Sequence, residues 1–223
     1  MNLKAATIHR RAELLAQQLP KSSLHPAVLQ WVEQSVRRGP WLISLSGGAD
    51  SMALLFLVWM HWPDRRSRLR VVHYNHRLRG RASDGDEKFC RDICRILRVP
   101  ISVGRRRITT KINSEAQARK LRFEFIDRVM RKFGSKTIWL GHQQDDVAET
   151  MLMRLARGSG AGGLAAPRPI QSMPLHRVHL RPLLNLKCSE IEAGMRLAQL
   201  PWRVDASNMT GLYFRNRIRH DVI

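Results

Sequence analysis

The chain predicts an α/β fold: a doubly wound, mainly parallel sheet with helices on both faces, followed by a short helical and basic C-terminal extension. Three observations carry this expectation. Strand-like and helix-like patterns alternate along most of the 223 residues. A Ser/Gly turn, Ser46-Gly47-Gly48-Ala49-Asp50-Ser51, joins one such strand to one such helix. Three polar segments, 46–51, 73–79 and 141–150, fall at the carboxyl ends of expected strands. Ligands bind there in open α/β sheets.

The elements follow in order. The basic N-terminus has no signal-peptide core, and Glu13 within an amphipathic pattern suggests an ordinary helix. Residues 25–37 read as a helix with Val28, Trp31, Val32 and Val36 on its apolar face. Residues 41–45 read as a buried strand and 51–61 as a helix. A second strand, Leu69 to Tyr74, leads into a polar loop from Asn75 to Ser83. The next helix opens with Asp84, Asp86 and Glu87, which suit its N-terminal dipole, and aligns Phe89, Ile93 and Leu97. Ile101 to Val103 forms a short strand, and Ser114 caps a long helix reaching Phe133. Thr137 to Leu140 is a compact strand, and 145–157 a helix. The run Gly158 to Gly163 is expected to be a mobile loop. A strand from Val178 to Arg181 and a helix from Ser189 to Leu200 close the pattern. The expected organisation is an N-terminal helical segment (1–38) packed on the core, a nucleotide-binding domain (39–165), and its C-terminal part (166–223) with a basic segment.

Composition narrows the partners. A formal net charge of +21 predicts a polyanion, and arginine outnumbers lysine, which favours bidentate phosphate contacts and stacking on bases. The arginines cluster at 65–81, at Arg105 to Arg107, and alternately at Arg215, Arg217 and Arg219. Solvated helix faces are the structural alternative. Cys90, Cys94 and Cys188 form no C-x-x-C pair, so a zinc site or disulfide framework is not expected and a reducing cytoplasm is. Cys90 and Cys94, four apart on a helix, read as small core residues. No apolar run approaches membrane-spanning length, so no membrane partner is expected.

Two constellations carry chemistry. Strand, glycine turn and helix N-terminus together bind phosphate, because glycines admit backbone N–H groups to an anion and the helix dipole adds partial positive charge. The turn lacks the lysine of a Walker loop and carries Asp50, suited to holding Mg²⁺ against a nucleotide's phosphates. A plain strand–helix turn with Asp50 as cap is the alternative. In the second constellation, His142, Asp146 and Glu149 are spaced so that a helix would place them on one face. One imidazole and two carboxylates at the mouth of a sheet can ligate Mg²⁺, take a proton or hold an amine; acidic first-turn residues that merely suit the dipole are the alternative.

At this point the chain resembles a known family. Ser46 to Ser51 is similar to the PP-loop of ATP pyrophosphatases, and within that superfamily the chain resembles the tRNA(Ile)-lysidine synthases. The supporting segments are Val72 to Arg79, Glu115 to Phe123, His142 to Thr150, Arg154 to Gly160, Arg181 to Leu184, Asp205 to Asn208 and Tyr213 to Arg219. They occur in the family's order from about residue 40 onward. The resemblance implies that ATP adenylates the C2 oxygen of the wobble cytidine in CAU-anticodon tRNA(Ile), releasing pyrophosphate. The ε-amine of L-lysine then displaces AMP, giving lysidine. That is a ligase forming a carbon–nitrogen bond, with ATP and Mg²⁺ required.

The resemblance also assigns residues. Ser46, Gly47, Gly48, Ala49, Asp50 and Ser51 would bind ATP, the N–H groups and hydroxyls cradling the departing pyrophosphate and Asp50 holding Mg²⁺. Arg119, with Arg122 as second choice, would clamp the phosphates. Lysine's amine has an ordinary pKa of about 10.4, so its neutral form costs roughly 4–5 kcal/mol at pH 7. Asp146 is the expected base, with His142 and Glu149 positioning lysine. Arg79, Arg157, Arg215, Asn216, Arg217 and Arg219 would contact tRNA while the cytidine is flipped out. A homodimer is left open. Gln143 stands where the family usually has a second histidine, and Phe123 where tyrosine is common. Larger members continue into C-terminal domains that help select the tRNA; these are expected to be absent from this chain. The rival readings are a PP-loop tRNA thiolase, which needs reactive cysteines, and a basic RNA-binding protein without catalysis.

Overall fold

The computed structural model describes residues 4–35, 39–107, 114–156, 158 and 167–204, with the side chain of Glu115 excepted. Six strands form one sheet: β1 (Trp41–Ser44), β2 (Leu69–Asn75), β3 (Ile101–Arg105), β4 (Thr137–Trp139), β5 (Ile170–Met173) and β6 (Arg177–Leu180), in the order β3-β2-β1-β4-β6-β5. Every neighbouring pair is parallel except β5 with β6. The chain winds outward from β1 through β2 to β3, then returns past β1 to β4. The direction of winding therefore reverses between β1 and β4, which opens a crevice at their carboxyl ends.

Alternation along the strands sorts the core into two layers. Ile43, Val71 and Trp139 join the larger cluster, while Leu42, Val72, Ile138 and Leu140 face the other way. The larger layer centres on α3 (Ala49–His61), buried without a break from Ser51 to Trp59. This is why its sequence is apolar all round rather than amphipathic. Around it lie α1 (Ala5–Gln18), α2 (Pro26–Gln34), α4 (Arg81–Ile96) and α7 (Cys188–Leu197), with Ile8, Ala12 and Leu15 of α1 fully buried. The opposite layer is covered by α5 (Glu115–Lys132) through Ile126, Val129 and Met130. The helix α6 (Gln144–Leu155) follows β4 at the crevice.

Most sequence-derived elements are present with shifted ends. Ser114 caps α5, accepting the Gln117 N–H at 3.2 Å. The helix expected over 25–37 ends at Gln34, and Val36 lies outside the described residues. The helix expected to open at Asp84 begins at Arg81, after Gly80 in a left-handed conformation. Asp84 falls in the first turn, where it suits the dipole, and the acids also have side-chain partners: Asp84 and Glu87 accept from Asn75, and Asp86 pairs with Arg79 and Arg203. The strand β5 was not expected. It returns through a tight turn whose central residues, Leu175 and His176, both have positive φ, with Arg177 N–H on Pro174 O. Such turns normally announce themselves with Asn-Gly or Asp-Gly, which this sequence lacks there. Apart from Gly158, the glycine run of 158–163 lies outside the described residues.

Candidate active site

The crevice is built from two loops on adjacent strands. After β1, the backbone turns at Gly47 (φ 98°), and Gly48 becomes the N-cap of α3. A side chain at residue 47 would be strained by that φ and would sit 3.4 Å from Cys90 Sγ. Successive N–H groups converge inside the turn. Those of Ser46 and Gly47 reach the Ser51 hydroxyl at 3.1 and 3.2 Å, and Gly48 N–H reaches Ser46 Oγ at 3.3 Å. N–H groups that converge on one oxygen at a helix start form an anion cradle. Asp50 lies in the first turn of α3, beside these donors. Here Gly48, not Asp50, is the cap.

The second loop follows β4. His142 precedes the helix and Gln143 caps it, accepting the Asp145 N–H, while Asp146 Oδ2 accepts the Gln143 N–H at 3.0 Å. The expectation that His142, Asp146 and Glu149 share one helical face is therefore corrected. Only the two carboxylates lie on α6, and His142 reaches the site from the loop. Asp146 is 9% exposed and Glu149 fully buried. Buried carboxylates need compensation, which makes α6 a costly face to build without a use for it.

The two loops touch backbone to backbone. A Cβ at Gly141 would stand 3.1 Å from Asp50 O and 3.2 Å from Ser51 Cα, tighter than ordinary packing, so glycine suits the approach. Through this contact the 46–51 turn meets the backbone at the start of the segment that carries His142, Asp146 and Glu149. Long-range bonds hold the second loop: Leu186 O accepts Gln144 N–H at 2.9 Å, and Asp145 Oδ2 accepts Cys188 N–H at 2.9 Å.

Beside the first loop lies a cleft of about 180 Å³ at the ends of β1 and β2, lined by Ser46, His73, Asn75, His76, Arg79 and Arg122 among others. His73 donates from Nδ1 to Leu45 O at 2.8 Å, which leaves Nε2 as an acceptor, buried without a hydrogen-bond partner among the described residues. Burial lowers the His73 pKa, and burial with the charge of Arg122 pushes His76 down to about 4. Behind them, Arg105 grips Glu87 at 2.7 and 2.8 Å and holds its pKa near 2, orienting Asn75.

The remaining assigned residues are placed unevenly. Arg122, the second choice for a phosphate clamp, lines the cleft. Arg119 lies exposed on α5, over the Phe123 ring at 4.9 Å, and its charge is felt by His179 and Arg181 of the second half. Arg79 lines the cleft paired to Asp86 at 2.6 Å. Arg157, Arg215, Asn216, Arg217 and Arg219 lie outside the described residues. Two residues were given no role from the sequence. Arg203 lays its N–H on Gly47 O at 2.9 Å and pairs with Asp86, and Arg181 donates to His142. Arg181 opens one of the supporting segments, but its partners His142, Arg168 and Gln171 are distant in the chain and meet it only in the fold. Cys90 and Cys94 are buried as expected, and burial pushes the Cys94 thiol up to about 12. No described helix is long and apolar enough to cross a membrane.

The PP-loop domain family matches residues 20–223. The chain belongs to the PP-loop family. Among curated proteins, it is 35% identical over 202 residues to the tRNA(Ile)-lysidine synthase of Rhodopirellula baltica, covering 82% of this chain and 51% of that protein. It is 37% identical over 187 residues to the Geobacter sulfurreducens tRNA(Ile)-lysidine synthase, covering 82% of this chain and 39% of that one. The chain thus spans between two fifths and half of the length of these relatives. Among solved structures, the U34-tRNA thiolase NcsA of Methanococcus maripaludis, determined with its [4Fe-4S] cluster, superposes with a TM-score of 0.66 at 17% identity, covering 95% of this chain and 70% of that one. This likeness speaks for a shared PP-loop fold.

Proposed function

We propose that the chain carries the catalytic domain of a tRNA(Ile)-lysidine synthase. The observation that supports this most is the backbone contact of Gly141 with Asp50 and Ser51, which joins the glycine turn to the segment that carries the two buried carboxylates. One half activates and the other half receives an amine. ATP places its phosphates in the 46–51 turn and its nucleoside in the neighbouring cleft, where the His73 Nε2 lone pair can accept from a hydroxyl or an exocyclic amine. The cytidine C2 oxygen attacks the α-phosphate, and the N–H groups of Ser46, Gly47 and Gly48 stabilise the leaving pyrophosphate. Arg122, from the cleft wall, adds charge to the phosphates.

The residues fit Mg²⁺. Among the described residues no cluster of three or more metal-ligating side chains occurs, and Asp50 is a single carboxylate beside hydroxyls and phosphate-binding N–H groups. Mg²⁺ is commonly held by one or two carboxylates with substrate phosphates completing its shell. When bound, it offsets charge on the leaving group. For the second step, Asp146 and Glu149 hold the lysine ammonium, and Asp146 takes its proton before the amine attacks C2 and AMP departs. The arginine-rich surface holds the tRNA, and the cytoplasm is the matching location.

The relatives' names support this reading, and the cysteines weigh against sulfur delivery. Cys90 and Cys94 are sealed in the core, and Cys188 stands at the start of α7. The test is incubation with ATP, labelled lysine and unmodified CAU-anticodon tRNA. Lysine incorporation with equal AMP release is expected. Pyrophosphate release without incorporation would indicate another acceptor, and tRNA binding with neither would leave a binding module.

A further inference from the structure

Arg181 stands at the end of β6 with only 3% of its surface exposed, between the crevice and β5. Its guanidinium donates from Nε to His142 Nδ1 at 3.0 Å, from Nη1 to Arg168 O at 2.7 Å and from Nη2 to Gln171 Oε1 at 2.9 Å. A guanidinium can only donate. His142 Nδ1 is therefore the lone-pair nitrogen, and the proton of the neutral ring resides on Nε2. Burial, and then the charge of Arg119, lower the Arg181 pKa to about 10, which still leaves a cation at neutral pH. A second proton on Nδ1 would displace the donor and face that cation.

We propose that Arg181 is the positioning residue of the amine half-site: it fixes His142 as an Nε2–H donor, so that the ammonium and its proton go to Asp146 and Glu149. This rests on the placement of lysine at α6 proposed above. An Nε2–H imidazole can donate to a substrate oxygen and cannot accept from an ammonium. The ring thus orients lysine by repelling its cationic end toward the carboxylates. The anchors also make sense of β5. Two of the three guanidinium bonds end on the segment 168–171, so the antiparallel strand braces a side chain of the site without touching substrate.

The side-chain nitrogen spectrum of the ¹⁵N-histidine-labelled chain tests this directly, with the His142 signal assigned by its loss in His142→Gln. The expected pattern is a protonated Nε2 and a bare Nδ1 at neutral pH. An Nδ1–H ring, or averaged tautomers, would overturn the proposal. In Arg181→Met the two tautomers should mix, and an unchanged ring would also overturn it. The kinetic counterpart is a double-mutant cycle. Arg181→Met should raise the KM for lysine about tenfold, but less than about twofold in a His142→Ala background, and that difference of at least about fivefold is the coupling. Equal losses in both backgrounds would make Arg181 merely structural. If Arg181→Met does not fold, the spectrum of the unsubstituted chain still decides. A chain that makes no lysidine would sink the functional reading, and the ring spectrum would still decide the role of Arg181.

Discussion

The two halves of the crevice are built by different means. The 46–51 turn is local: its N–H groups close on hydroxyls within five residues, and the helix it starts is buried from Ser51 onward. The 142–149 half is assembled from a distance, by Leu186 O, Cys188 N–H and Arg181, each about forty residues or more further on. An activating cradle needs only backbone donors and a dipole, which a short segment can supply. An amine site needs a loop and a helix start held in place at the sheet edge, and here that takes partners from later elements of the chain.

The comparison can be broken at several points. Asp50→Ala should abolish AMP formation while tRNA affinity stays nearly intact; filter binding beside an AMP assay checks both, and parallel loss would make Asp50 structural. Gly141→Ala sets a methyl 3.1–3.2 Å from backbone atoms of Asp50 and Ser51, so the two loops must part by a few tenths of an ångström to admit it. It should separate the halves and cut lysidine formation by about 10²-fold or more, since small misplacements of reacting groups are that costly. Full turnover by this variant would mean that the contact does not couple them.

The smallest effect concerns the second half's support. Burial, with the charge of Arg181, pushes His179 down to about 4. The unfolded chain therefore binds more protons between about pH 6.5 and pH 4, and the stability held above that window is lost as pH falls through it. His76 behaves alike. Urea midpoints should fall from pH 7 to pH 5, and less so in His179→Gln. The carboxylate Glu87 does not confuse this range, because its stabilisation is lost only lower, between about 4.5 and 2. Equal slopes in both proteins would remove His179 from the pH dependence.

The same contrast explains what the sequence revealed. The parallel sheet, the glycine turn and the carboxylates of α6 were legible because each depends on nearby residues and a regular period. The phase of His142 was misjudged, since Gln143 caps a helix one residue after it and spacing alone cannot mark a helix start. The strand β5 was hidden by a turn made from Leu175 and His176, residues that rarely take positive φ. With β5 unseen, the Gln171 partner of Arg181 was hidden, and its other partners, His142 and Arg168, lie 39 and 13 residues away in the chain. Arg203 was missed for a similar reason, because its bond to Gly47 joins residues 156 apart in the chain.

The central claim is that activation and amine transfer occupy separate halves of one crevice. Asp146→Asn tests it most directly, by measuring pyrophosphate release and lysidine in one reaction with ATP, lysine and CAU-anticodon tRNA. Pyrophosphate should still be released, with an adenylated tRNA accumulating, while lysidine falls by roughly 10²-fold or more. Loss of pyrophosphate release in step with lysidine, as expected for Asp50→Ala, would contradict the division.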